Sequence, residues 1–129
     1  MKKSVVSVFL SLFISSAAMA DLYSFCFLPI NNADEEVSKV VITDVKLVKA
    51  GVDNEEDLPD EEYEAFENNN GTLLLKYIKD NKLVKHGETV DEEELECASV
   101  SNDRKQLGDD LKELVNSLKE QKIKVYQTK

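Results

Sequence analysis

The sequence predicts an α+β domain: a mainly antiparallel sheet, a long C-terminal helix packed on one face, and a final short strand. Three observations lead there. Residues 37–49, VSKVVITDVKLVK, alternate in the two-residue period of a strand, with Val41, Thr43, Val45 and Leu47 on one side and Ile42, Asp44, Lys46 and Val48 on the other. Leu107, Leu111, Leu114, Val115 and Leu118 recur at helical spacing between Asp103 and Glu120. KIKVYQ, residues 122–127, then alternates again and reads as a half-buried or edge strand. A sheet and an amphipathic helix each carry one apolar face, and stacking them buries both.

The elements follow in order. Leu22, Tyr23, Phe25 and Phe27 form an aromatic-rich first strand, ended by Pro29 and the Asn31–Asn32 turn signal. The strand over 37–49 stops at Ala50–Gly51. Asn54 to Asp57 is a loop, and Pro59 suits the first turn of a helix reaching about Asn68, with acids favourably near its N-terminus. Asn68-Asn69-Asn70-Gly71 breaks the chain. Residues 72–86 admit a hairpin around Asp80–Asn81 or a helix over Leu73–Ile78; the turn residues favour the hairpin. Leu95 to Val100 is a short strand holding Cys97, and Ser101 or Asn102 caps the last helix.

The N-terminus reads as an address. Lys2 and Lys3 precede the apolar run Val5–Ile14, and Ala18-Met19-Ala20 offers small residues where signal peptidase reads them. The run is short for a membrane span, which needs about 20 residues. Residues 1–20 are expected to be removed, leaving Asp21–Lys129 as a single periplasmic domain without a membrane anchor. Phe25 before Cys26 does not suit lipid attachment, which wants a small residue there. In an oxidising compartment the two cysteines, Cys26 and Cys97, are expected to pair and to staple the first strand to the strand after Leu95.

Charge narrows the partners. Removing Lys2 and Lys3 takes the formal charge from −10 to −12. So acidic a surface excludes nucleic acid and anionic membranes and leaves a basic protein or a cation as the complement. Residues 53–67 hold nine acids and no base, and residues 88–96 hold six more. Tyr63 and Phe66 interrupt the first run. Their spacing of three fits either apolar anchors on a contact surface or the buried side of a short helix. The expected partner-binding residues are Asp57, Asp60, Glu61, Glu62, Tyr63 and Phe66.

No catalytic signature stands out. His86 is the only histidine and lies among lysines; no G-x-S-x-G, H-E-x-x-H or glycine-rich phosphate loop occurs. No cofactor or metal is expected, and the chain is not expected to be an enzyme. DNEEDL, residues 53–58, has acids but places Leu58 where a calcium loop needs glycine. The alternatives are a calcium- or ligand-binding envelope module and, with less support, a small carboxylate-dependent hydrolase.

This profile of address, size, acidity and one disulfide resembles the periplasmic immunity proteins that neutralise effectors delivered between bacteria, and in address and size the periplasmic lysozyme inhibitors. The resemblance spans the mature chain and carries no shared motif. It implies a protein that occludes the active site of a toxin or cell-wall hydrolase.

Overall fold

The computed structural model describes residues 20–52 and 54–128; the expected signal segment, apart from Ala20, lies outside the described residues. Strands β1 (Leu22–Ser24), β2 (Cys26–Asn31), β3 (Val37–Ile42) and β4 (Lys46–Lys49) lead to helix α1 (Asp60–Asp80). Strands β5 (Thr89–Val90) and β6 (Glu96–Cys97), helix α2 (Arg104–Glu120) and strand β7 (Lys124–Gln127) complete the chain. The main sheet runs β5-β2-β3-β7, with β6 also on the outer edge of β2. All its pairs are antiparallel except β3 with β7. The fold is α+β, as the sequence predicts.

Both faces of this sheet are covered. Cys26, Leu28, Ile30 and Val41 join Phe66, Leu74 and Ile78 of α1. On the other face Phe25, Val40 and Ile42 join Leu107 and Leu111 of α2, with Leu114, Val115 and Leu118 packed alongside. The C-terminal helix thus covers one face as expected, and α1 covers the other. The alternation of β2 and β3 sorts their side chains between the two layers.

The two strands expected as continuous are each divided. β1 pairs with β4 and β2 with β3, with the ribbon turning at Phe25 and at residues 43–45. Thr43 makes the corner. Its Oγ1 accepts from the Cys26 N–H at 3.0 Å while its own N–H donates to the Cys26 carbonyl at 2.9 Å. A side chain here replaces a ladder group, so the buried backbone stays satisfied through the bend. Nor does Pro29 end the first strand. β6 pairs with β2 at Cys26 and Phe27 and β5 at Ile30 and Asn31, so Pro29 falls in the gap between them. The residue without an N–H sits where that edge has no partner strand.

The largest correction concerns residues 68–86. The Asn run does not break the helix, and no hairpin forms; α1 continues to Asp80. Phe66, Asn70, Leu74 and Ile78, four apart, are all buried. Asn70 turns its amide inward to the Phe66 carbonyl at 2.8 Å. Gly71 and the asparagines weaken the helix by up to about 1 kcal/mol each. Burying Phe66, Leu74 and Ile78 contributes about 1.5–3 kcal/mol apiece and wins. Asp80–Asn81 is a turn as predicted, but it ends a helix, with Asn81 as C-cap. Asp103, not Ser101 or Asn102, caps α2 by accepting from the Gln106 N–H.

One stability prediction arises here. Gly108 lies inside α2, and a Cβ placed on it meets nothing within 4 Å. Gly108→Ala is expected to stabilise the domain by about 1 kcal/mol, through helix propensity and a less free unfolded chain. A urea midpoint that stays put or falls would contradict this.

Candidate functional site

The site grows from one edge of the sheet. After β5 the chain turns through a short 3₁₀ segment, Glu92–Glu94, capped by Asp91, whose side chain accepts from the Glu93 N–H. Leu95 then tucks toward α1: a Cβ at Gly71 would come within 3.2 Å of its Cδ2. That close approach requires the missing side chain at Gly71. Next along the chain, Cys97 is bonded to Cys26, directly opposite it in the register. The strand after Leu95 is therefore stapled to the first strand as the sequence predicts. It continues past Ala98, whose N–H donates to the Phe25 carbonyl, to a bridge between Ser101 and Tyr23.

This docking brings together two acidic runs that are far apart in sequence. Glu64 and Glu67 of α1 share a cleft of about 320 Å³ with Glu92, Glu93 and Leu95. Glu55, Asp60 and Tyr63 share the neighbouring cleft, about 290 Å³, with Cys97, Ser99 and Val100. Among the described residues only two ion pairs form, Lys39–Glu88 and Lys49–Glu62. The rest of this acidic band has no internal cation. Its carboxylates face water and repel one another.

The six expected binding residues do not all fall on this surface. Asp57, Asp60 and Glu61 are exposed around the start of α1. Glu62 is half-exposed and bridged to Lys49 at 2.8 Å, a surface pair worth about 1 kcal/mol or less. Tyr63 is half-buried, and its phenol titrates above the ordinary value because of desolvation, then the charges of Glu67 and Glu55. Phe66 is 8% exposed and belongs to the α1 side of the core, so it offers no anchor to a partner. The helical-spacing reading holds for Phe66, while Tyr63 keeps one face open to the cleft.

A larger groove, about 670 Å³, lies on the other face of the sheet. The C-terminal half of α2 supplies Leu114 and Leu118, the following turn Ile123, and the sheet Phe27, Pro29, Val37 and Val40. Glu36, Glu94 and Glu96 rim it. Sequence reasoning assigned these apolar residues to the core and did not find the groove. The available signal was that Leu118 continues the apolar stripe of α2 beyond Leu111, past the most deeply buried strand positions.

Among the described residues, no group of three or more His, Cys, Asp or Glu side chains is arranged to hold a metal ion. No described helix is long and apolar enough to cross a membrane. His86 is exposed in the loop after Leu83. Comparison of the chain with protein-family models, curated proteins and solved structures finds no match.

Proposed function

We propose that this chain is an exported acidic binding protein that inhibits a protein partner, acting as an immunity protein that occludes the active site of a bacterial toxin or cell-wall hydrolase. One observation carries the reading. The fold spends a helix glycine and the packing of Leu95 to set Glu64 and Glu67 beside Glu92 and Glu93, and supplies no lysine or arginine in that cleft. Such self-repulsion opposes folding, and a basic surface laid over it removes the opposition. Acids so placed also steer a cationic cleft into register before contact. Tyr63, half-buried at the end of the band, is the aromatic suited to anchor that contact.

The test begins with tagged protein exported to the periplasm, cross-linked, and captured with its partner. Titrating the partner's hydrolytic activity is expected to give full inhibition at one equivalent. The triple variant Asp60→Asn, Glu64→Gln, Glu93→Gln is expected to slow association about tenfold at low salt, with dissociation little changed. A captured partner that stays active when saturated would overturn the inhibitor reading. An association rate indifferent to both salt and the triple variant would remove the band from it.

A further inference from the structure

We infer that the groove between α2 and the outer part of β2 and β3 is a docking slot for an apolar side chain that a protein partner presents between lysines or arginines. The inference rests on the binding reading above and gives it an anchor point on the opposite face of the sheet from Phe66.

The groove exists for a definable reason. β2 has no outer partner at Leu28 and Pro29, because β6 stops at Phe27 and β5 begins at Ile30. The 3₁₀ segment bulges out across this gap and carries Glu94 and Glu96 to the groove's rim. Val37 remains 39% exposed at the start of β3, and Leu114, Leu118 and Ile123 are only half-buried. The floor is therefore apolar surface that folding leaves wet. Its volume, about 670 Å³, accommodates one or two large side chains within the range usual for binding pockets.

Charge decides the occupant. Glu36, Glu94 and Glu96 stand around the floor, and no lysine or arginine lines it. Both carboxylate oxygens of Glu94 accept from the Asn31 amide at 3.1 Å, which holds that acid in place without neutralising it. Fatty acids and anionic headgroups bring the wrong sign. A second copy of this chain, with formal charge −10 before signal removal and more negative after, does too. A leucine or phenylalanine flanked by basic residues satisfies floor and rim together. Apolar burial then supplies the affinity and the rim its selectivity.

The experiment is an NMR titration of the mature, oxidised, ¹⁵N-labelled protein with the peptide acetyl-KKLFKK-amide. Two controls accompany it: acetyl-KKSSKK-amide, with charge alone, and acetyl-EELFEE-amide, with the apolar pair alone. The first peptide is expected to shift the amides of Val37, Val40, Leu114, Leu118 and Ile123 in a saturable way, with each control weaker by about tenfold or more. Val37→Lys, at an exposed position, is expected to weaken the first peptide about tenfold while leaving the thermal midpoint unchanged. Shifts confined to the acidic band, equal binding of either control, or no effect of Val37→Lys would overturn the assignment. So would a dimer of the free protein by sedimentation that Val37→Lys dissolves, since the slot would then belong to a second copy. If partner inhibition survives while the groove gives no shifts, the slot fails alone; if no inhibited partner exists, the binding reading fails whatever the peptide does.

Discussion

Replacing Cys26 and Cys97 together by alanine is expected to lower the stability of the oxidised domain by about 4 kcal/mol. The bond joins residues 71 apart, and the entropy of closing so long a loop in the unfolded chain sets that size. The loss is a large fraction of what a small domain has, since net stabilities run about 5–15 kcal/mol. Local structure adds to the case. β6 meets β2 over only two residue pairs, so little else pins this stretch laterally. Urea unfolding of wild type and double variant measures the effect, and the variant should also show a steeper denaturant dependence, because its unfolded state is more open. Equal midpoints would mean that the bond adds no stability. The consequence reaches the proposed site, because Glu94 and Glu96 are carried on the segment that this bond holds.

The second large effect is expected at Lys39. Its side chain is 9% exposed in β3, donates to the Leu83 carbonyl at 2.8 Å, and pairs with Glu88. Glu88 also accepts from Ser38 Oγ at 2.6 Å and from the Lys85 N–H at 2.8 Å. These contacts, the Lys39 hydrogen bond first, lower the Glu88 carboxyl to about 2. Lys39→Ala removes the cation and leaves Glu88 and the Leu83 carbonyl without their partner. A loss of about 3 kcal/mol is expected. Lys39→Met with Glu88→Gln is expected to recover most of it, because Gln still accepts from Ser38 and Lys85 and no charge is left alone.

The pH dependence has a definite sign. Glu88 has a lower pKa folded than unfolded, so between the two values the unfolded state binds the extra proton. Its contribution is complete above the ordinary carboxylate value of 4.5, drains as pH falls, and is gone below about 2. Protonating the acidic band relieves repulsion over the same range and acts in the opposite direction. Comparing wild type with Lys39→Ala at pH 7, 4 and 3 separates the two effects. The gap between the proteins should narrow on acidification, and a constant gap would contradict the assigned role of the pair.

What could be read from the residues was what depends on local pattern. Leu107 to Leu118 repeat at helical spacing over four turns, and α2 forms within one residue of the expected start. Ile123, Val125 and Tyr126 alternate, and β7 lies at the sheet edge with Lys124 in it. The cysteine pair needed only the count and the expected compartment. The interval 68–86 misled because its local signals are true but weak. Asn and Gly do disfavour helix, and Asp80–Asn81 does turn. No neighbour within reach along the sequence reports that Leu74 and Ile78 will be buried under a sheet.

The sequence by itself determined the class of the fold, the long C-terminal helix, the edge strand, the disulfide partners and the excess of acid, because each follows from periodicity, count or charge within a short window. Only the tertiary structure decided that Phe66 is core while Tyr63 stays half-open, that α1 runs through its own breakers, and that two acidic runs meet across Leu95 and Gly71. It alone opened the groove beside β2, where Pro29 leaves a strand edge without a partner. These depend on which faces meet after the chain has closed on itself. Burial energies of about 1.5–3 kcal/mol per large apolar side chain then override local preferences of about 1 kcal/mol or less.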